Sequence, residues 1–476
     1  MRKRLPLFGA LAVLAVAAVA LRPAAAGATA SRSTALSGPT PIPAFTNTPL
    51  ISTLPIAGVT TAPNANSTGN SEPEIAFSND GTMAVDGLAW LPFQLNVWTG
   101  HFGSTPSYFG AVDANLQMVG AGRTRLGSED TDVKYTSAGT ALYVDLDLII
   151  NRNSTGHAQL GVNVTRCPAG ATGPSGCTTT FLDTAGADRP WITTSGTNAW
   201  VSYHDSGNSS LIRVMRSTDD GRTWQAAASP ITGQGTATGA ATFNNIAGPI
   251  VADPGTGTVY SVYAAGEPQT KGKSKGGTFN NIFVSRSTDG AKHWTTTRVF
   301  HAPPGTGLDN IFPALAVDPV THVLYATWSD QHGVSVSQSA DGGLTWSAPV
   351  TVSTIQTTVM PWVAARNGKV DVVYYGSTAA SPSDPSAVWN VYDSQFSGGA
   401  WTVKQVSNTP NRVGAICLAG SACPNNTNRE LLDLFQVAED PITGKAAIIY
   451  TDSTIDTWTS NGVTNELPEI VLAFEH

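Results

Sequence analysis

Charge is scarce in this chain. Only 13% of its 476 residues are Asp, Glu, Lys or Arg, and the formal net charge is -8. A weakly acidic surface of that kind offers no electrostatic footprint for nucleic acid. The single basic tract beyond the N-terminus, Lys271-Gly-Lys273-Ser-Lys275, is set among glycines and reads as a solvated loop. Cysteine is equally sparse, with two local pairs, Cys167/Cys177 and Cys417/Cys423, each in a loop rich in Gly, Pro and Ser. No His-Glu-x-x-His or P-loop is present, which removes the local signatures of zincin metalloproteases and of NTPases. His204-Asp205-Ser206 are consecutive, which is not how a catalytic triad is normally assembled. Beyond the N-terminus, no apolar run is long enough to span a bilayer as a helix.

The N-terminus itself is distinctive. Met1-Arg-Lys-Arg4 is basic, residues 5–21 are apolar, and small-residue sites follow at Ala24-Ala-Ala26 and Ala28-Thr-Ala30. This is the pattern of a secretory signal peptide over residues 1–30, so the mature protein is expected to be extracellular and free of the membrane. An uncleaved anchor is the alternative. Residues 31–45 read as a disordered exit segment. In an exported chain the two cysteine pairs are expected to be disulfides; a zinc site is the rival, and no clustered histidines complete it. No cofactor is expected, with a bound Ca2+ left open.

What the chain does have is a repeated turn. Ser217-Thr-Asp219-Asp-Gly221-Arg-Thr-Trp224, Ser287-Thr-Asp289-Gly-Ala-Lys-His-Trp294 and Ser339-Ala-Asp341-Gly-Gly343-Leu-Thr-Trp346 share the form S-x-D-x-G-x-x-W. In a tight hairpin the Asp can accept backbone N–H groups, the Gly supplies φ > 0, and the Trp buries a large ring. The middle copy has Ala291 at the glycine position. A fourth frame, Ser394-Gln-Phe-Ser-Gly398-Gly-Ala-Trp401, lacks the Asp. Three copies are a repeat, and they resemble the Asp-box (BNR-repeat) proteins of the sialidase superfamily. The resemblance implies that the boxes are structural hairpins facing away from an active site.

A second repeat of short apolar strands marks the blades. First strands start at Pro73, Asp132, Pro190, Pro249, Pro313, Pro361 and Leu434, and turns such as Asp253-Pro-Gly-Thr-Gly257 lead to second strands rich in β-branched and aromatic residues. Seven starts predict an all-β propeller of seven four-stranded blades over residues 46–476, with six blades as the alternative. The last repeat supplies three strands, so residues 46–58 are expected to close the ring and cover its edge.

Connectivity assigns loops to faces. The boxes are turns between third and fourth strands, so function is expected on the opposite face, where the longer loops lie. The resemblance implies three arginines that grip a sialic-acid carboxylate, a Tyr/Glu nucleophile pair and an Asp acid/base. Arg suits the first task because its fork matches a carboxylate. Asp188-Arg189-Pro190 is similar to the family's Arg-Ile-Pro signature but lacks its spacing. Asp188, Arg189, Arg429 and Glu430 are the catalytic candidates, expected to line one funnel. Arg125, His204, Asp205, Asp330 and Trp362 are the substrate-binding candidates. Solvation, loop structure or core packing is the competing explanation for each. Two functions stay open: a monomeric exo-glycosidase of sialidase type acting on a carbohydrate or glycoprotein, and a non-catalytic propeller that binds glycan, protein or metal on the same face.

Overall fold

The computed structural model describes residues 44–476 except 56, 92, 113–122, 152–157, 184–185, 206–210, 232–244, 267–277, 309 and 425–427. The expected signal peptide and nearly all of the expected exit segment lie outside the described residues. Seven antiparallel sheets follow one another along the chain. The protein is a seven-bladed β-propeller rather than a six-bladed one. Blades one to six occupy residues 70–111, 123–183, 187–227, 245–301, 314–351 and 357–405. Blade seven is built from Gln436–Glu439, Ala446–Ser460 and Val463–Glu475, and its fourth strand is Phe45–Leu50.

That closing strand runs antiparallel to the C-terminal one, with Phe45 opposite Glu475 and Leu50 opposite Ile470. It begins one residue inside the stretch expected to be disordered, because the Phe45 ring is buried in the main apolar cluster. It also ends well before Gly58. Val59–Ala62 forms a separate short strand on the tip of the blade-seven hairpin, pairing with Thr457–Ser460. Second strands such as Val259–Ala265 and Leu324–Ser329 are buried along their whole length. Packing between neighbouring blades covers both faces, which is why they read as continuous apolar runs.

The three boxes are hairpin turns between third and fourth strands. In blade three Ser217 Oγ donates to Asp219 Oδ1 at 2.8 Å, and Asp219 Oδ1 accepts the Thr223 N–H at 2.9 Å. Gly221 and Gly343 sit at φ of 76 and 83°. Ala291 takes the same left-handed conformation at 67° and keeps the box bond to Ser287 Oγ at 2.9 Å. Both cysteine pairs are disulfides. Cys167–Cys177 staples the connection between the last two strands of blade two, and Cys417–Cys423 lies in the long connection from blade six to blade seven.

The innermost strands share a bulge. Pairing slips between Ser71 and Glu74, Ser128 and Thr131, Asp188 and Trp191, Ala247 and Ile250, and Val359 and Trp362. Four of these slips contain an X-Pro step, at Glu72-Pro73, Arg189-Pro190, Gly248-Pro249 and Met360-Pro361. Proline has no N–H to give the ladder, so the pairing must break there. Glu72, Arg189 and Met360 consequently hold φ of 52, 40 and 54°, a region that side-chain-bearing residues adopt only when the surroundings enforce it. An aromatic group fills the interior beneath. The Trp191 ring packs edge-on against Phe312 and beside Trp362, both at 5.4 Å between centroids.

Candidate active site at the propeller mouth

Arg189 is the centre of this site. The bulge turns its side chain inward, where its guanidinium lies 4.0 Å from the Trp191 ring centroid. One nitrogen, Nη2, donates to Glu74 Oε1 at 2.8 Å and to the Thr131 carbonyl at 2.9 Å. The other, Nη1, stands 3.5 Å from Glu72 and 3.8 Å from Asp130. Arg189, Glu72 and Glu74 are at most 4% exposed. Blades one and two thus send three carboxylates to one buried cation from blade three, a geometry that suits the planar, weakly hydrated guanidinium. Desolvation, and after it the negative charge of Asp130, holds the Glu72 carboxyl well above the usual range. Desolvation followed by repulsion from Asp86 does the same to Glu74.

Above this buried layer lies an accessible one. Asp188 is exposed, while Glu129, Asp130, Arg429 and Asp433 are half-buried. Asp188 reaches solvent, and protein packs closely around it. Desolvation, reinforced by Asp130 and Asp433, pushes its carboxyl up to about 7. Glu129 is likewise raised to about 7, by desolvation first and then by Asp130 and Asp188. Arg429 forms a two-pronged ion pair with Asp433, at 2.5 and 3.0 Å. Two acids held near neutrality beside further carboxylates form the arrangement in which one carboxyl donates a proton and another carries charge.

The sequence candidates fall into separate places. Asp188, Arg189 and Arg429 belong to one electrostatic cluster, since Glu72 feels both arginines. Glu430 does not join it. It pairs with Arg412 at 2.9 Å, and Arg412 also holds Glu466 at 2.8 Å. His204 stands opposite Asp188 in the blade-three ladder. Asp205, one residue on, binds Arg213 at 2.6 Å. Asp330 accepts the His332 N–H within its own turn. Trp362 is buried in the aromatic group beneath the mouth. Arg125 lies in the strand Arg123–Tyr135, but its side chain is outside the described residues, as are Arg152, Glu267 and Asp309. Each of Arg189, Arg412 and Arg429 is already engaged by carboxylates, and Arg412 sits in a different cluster.

Glu74, Glu129 and Asp433 were not singled out from the sequence. Glu74 is hidden inside a strand that reads as apolar. The recurring X-Pro step at the start of first strands was the visible signal for the bulges. Among the described residues, no group of three or more His, Cys, Asp or Glu is arranged to hold a metal ion.

Residues 192–412, which contain the three boxes, match the family described as a BNR repeat-like domain. No curated protein matches the chain by sequence. Among solved structures it is similar to the intramolecular trans-sialidase from Ruminococcus gnavus, at 12% identity over 85% of this chain and 94% of that one, with a TM-score of 0.40. It is similar to the Trypanosoma rangeli sialidase at 12% identity over 91% of this chain and 58% of that one, with a TM-score of 0.43. An α-L-arabinanase from Penicillium chrysogenum gives 10% identity over 90% and 97%, with a TM-score of 0.41. Likeness at this level leaves the activity open.

Proposed function

With residues 192–412 forming a BNR repeat-like domain inside a seven-bladed ring, we propose that this is an exported carbohydrate-active protein whose mouth hydrolyses glycosidic bonds in uncharged glycans. The observation that carries the reading is Asp188, an exposed carboxyl raised by Asp130 and Asp433 and in turn acting on Glu129. Glycoside hydrolysis needs one protonated carboxyl to donate to the leaving oxygen and one carboxylate to attack or to activate water. Asp188 is assigned the first role. Asp130, 3.8 Å from the Arg189 guanidinium, is assigned the second. Two disulfides support an extracellular setting.

The choice of uncharged glycans follows from electrostatics. A sialoside brings a carboxylate, and the carboxyl groups around the mouth outnumber the two arginines that share it. Those arginines are occupied by Glu74 and by Asp433. Sialidase-type hydrolysis is therefore the less favoured form of the glycosidase reading. A non-catalytic glycan-binding propeller is the second reading. Its support is the burial of Arg189, whose side chain is 5% exposed and braces the fold rather than reaching a ligand.

A screen of the secreted protein against neutral aryl glycosides and sialosides tests this. Turnover of a neutral glycoside that falls by roughly 10²–10⁴ in Asp188→Asn, with no loss of melting temperature, is the expected result. Turnover of sialosides alone overturns the uncharged-substrate assignment. Glycan binding without turnover on either set establishes the second reading.

A further inference from the structure

The outer hairpin of blade six departs from the box pattern, and a cavity accompanies the departure. The boxes of blades three to five link their strands through long turns. Blade six turns through Gly398-Gly399 alone, at φ of 60 and 86°, with Ser397 opposite Ala400. Two left-handed residues in a row are what a two-residue hairpin demands. In blade three the box tryptophan, Trp224, folds back and donates its indole N–H to the Gly221 carbonyl at 3.1 Å. The short turn places Trp401 directly across from Phe396 instead, with ring centroids 5.4 Å apart. On the other side of the gap, the fourth strand of blade five is only Val350–Thr351.

Between these two blades lies a cavity of about 270 Å³ lined by residues that include Tyr325, Val336, Gln338, Val350, Phe396 and Trp401. Among the described residues, no charged side chain lines it. Neither the Trp401 indole N–H nor the exposed Gln338 side-chain amide donates to another described residue. We infer that this cleft is a second carbohydrate site, which takes one ring of an uncharged glycan against the Trp401 indole. The inference rests on the carbohydrate reading above and names a site that the hydrolysis does not use.

The chemistry selects the occupant. An apolar side chain from a protein partner would leave the indole N–H and the amide unpaired, and burying unpaired donors is costly. A charged ligand would find no countercharge. A sugar ring offers an apolar C–H face for the indole and hydroxyls for both donors. The cavity is smaller than the ~300–1,000 Å³ of pockets that take drug-sized ligands, so it suits a single ring. It opens beside the hairpins of the box face, away from the mouth. Its role is to anchor one part of a polymer while another part is processed.

Calorimetry with neutral hexasaccharides of glucose and of xylose as probes tests the site. Wild type and Asp188→Asn are expected to bind one of them equally. Trp401→Ala is expected to weaken binding about tenfold, the equivalent of one lost ring contact. Trp401→Phe, which keeps a ring and loses the N–H, is expected to fall between. Unchanged affinity in Trp401→Ala, or no binding of either hexasaccharide, overturns the proposal. Should Trp401→Ala fail to fold, Gln338→Ala at an exposed position takes its place, and unchanged affinity there is equally fatal. Turnover with no cleft binding removes this site and leaves the hydrolase reading. Cleft binding with no turnover does the reverse.

Discussion

The same residue type is treated in opposite ways on the two faces of this propeller. On the box face Asp219 and Asp341 are held down at about 2. The threonine hydroxyl four residues on is the first cause and its backbone N–H the second. At the mouth Asp188 and Glu129 are pushed up to about 7 by desolvation and, after it, by the negative charge of Asp130. A box aspartate finds all its partners within four residues. A mouth carboxyl is defined by groups from blades two and three and from the connection between blades six and seven. The first environment is a property of a peptide segment, and the second exists only once the ring has closed.

The largest test of that contrast is Asp188→Asn. Loss of a positioned general acid should lower turnover by roughly 10²–10⁴, while removing a carboxyl that the site disfavours in ionised form should leave thermal stability at neutral pH equal or higher. Assays of the purified variant against the best glycoside, alongside calorimetry, check both halves. A variant that is less stable yet active would reverse the roles given to the two faces.

Arg189→Met comes next. It strands Glu72 and Glu74 without their cation, and breaking a buried charge network by removing one partner typically costs about 3–5 kcal/mol. Denaturant unfolding should show a loss of that order. The equivalent truncation at the rim, Arg213→Met, should cost far less because that side chain is half-exposed.

The pH dependence should separate the faces as well. A carboxyl whose folded value is raised binds more protons when native than when unfolded, so stability falls as pH rises from about 4 to about 7. A carboxyl whose folded value is lowered contributes stability above its unfolded value near 4, which is lost as pH falls toward 2. Thermal melts should therefore show the mouth weakening the protein across the first window and the boxes across the second. Asp188→Asn should flatten the first arm. Asp219→Asn should flatten only the second.

The disulfides give a smaller contrast. Replacing Cys417 and Cys423 with Ala should impair turnover, because that connection leads into Arg429 and Asp433. Replacing Cys167 and Cys177 should alter melting and leave kinetic constants unchanged. Smallest of all is Ala291→Gly, expected to stabilise by about 1 kcal/mol or less by relieving a left-handed alanine at the cost of added chain entropy. A denaturation midpoint resolves it.

How much of this was legible in the sequence follows from the same contrast. The boxes, the blade count, the disulfides and the origin of the closing strand could be read, because each is a local pattern or a count. The mouth could be read only in part. Arg429 and Glu430 are neighbours in sequence, yet one reaches the Arg189 cluster and the other turns to Arg412. Asp188 and Arg189 are also neighbours, yet one is exposed and the other buried, because successive strand residues face opposite ways, and the alternation breaks only after them, at Pro190. Glu74 looked like a strand residue and is the closest carboxylate partner of the central cation.

Phe45 opposite Glu475 also sets an order of events. Almost the whole described chain separates these two residues, so this pairing joins a segment made early to one made much later. The loop that it closes is nearly as long as the protein, and contacts of that separation are late and slow to form. Until Val463–Glu475 has emerged, Phe45–Leu50 has no partner and the propeller is an open arc with two bare sheet edges. Ring closure therefore waits until the last strand has been made, and the interval before it is when the chain is most exposed to self-association.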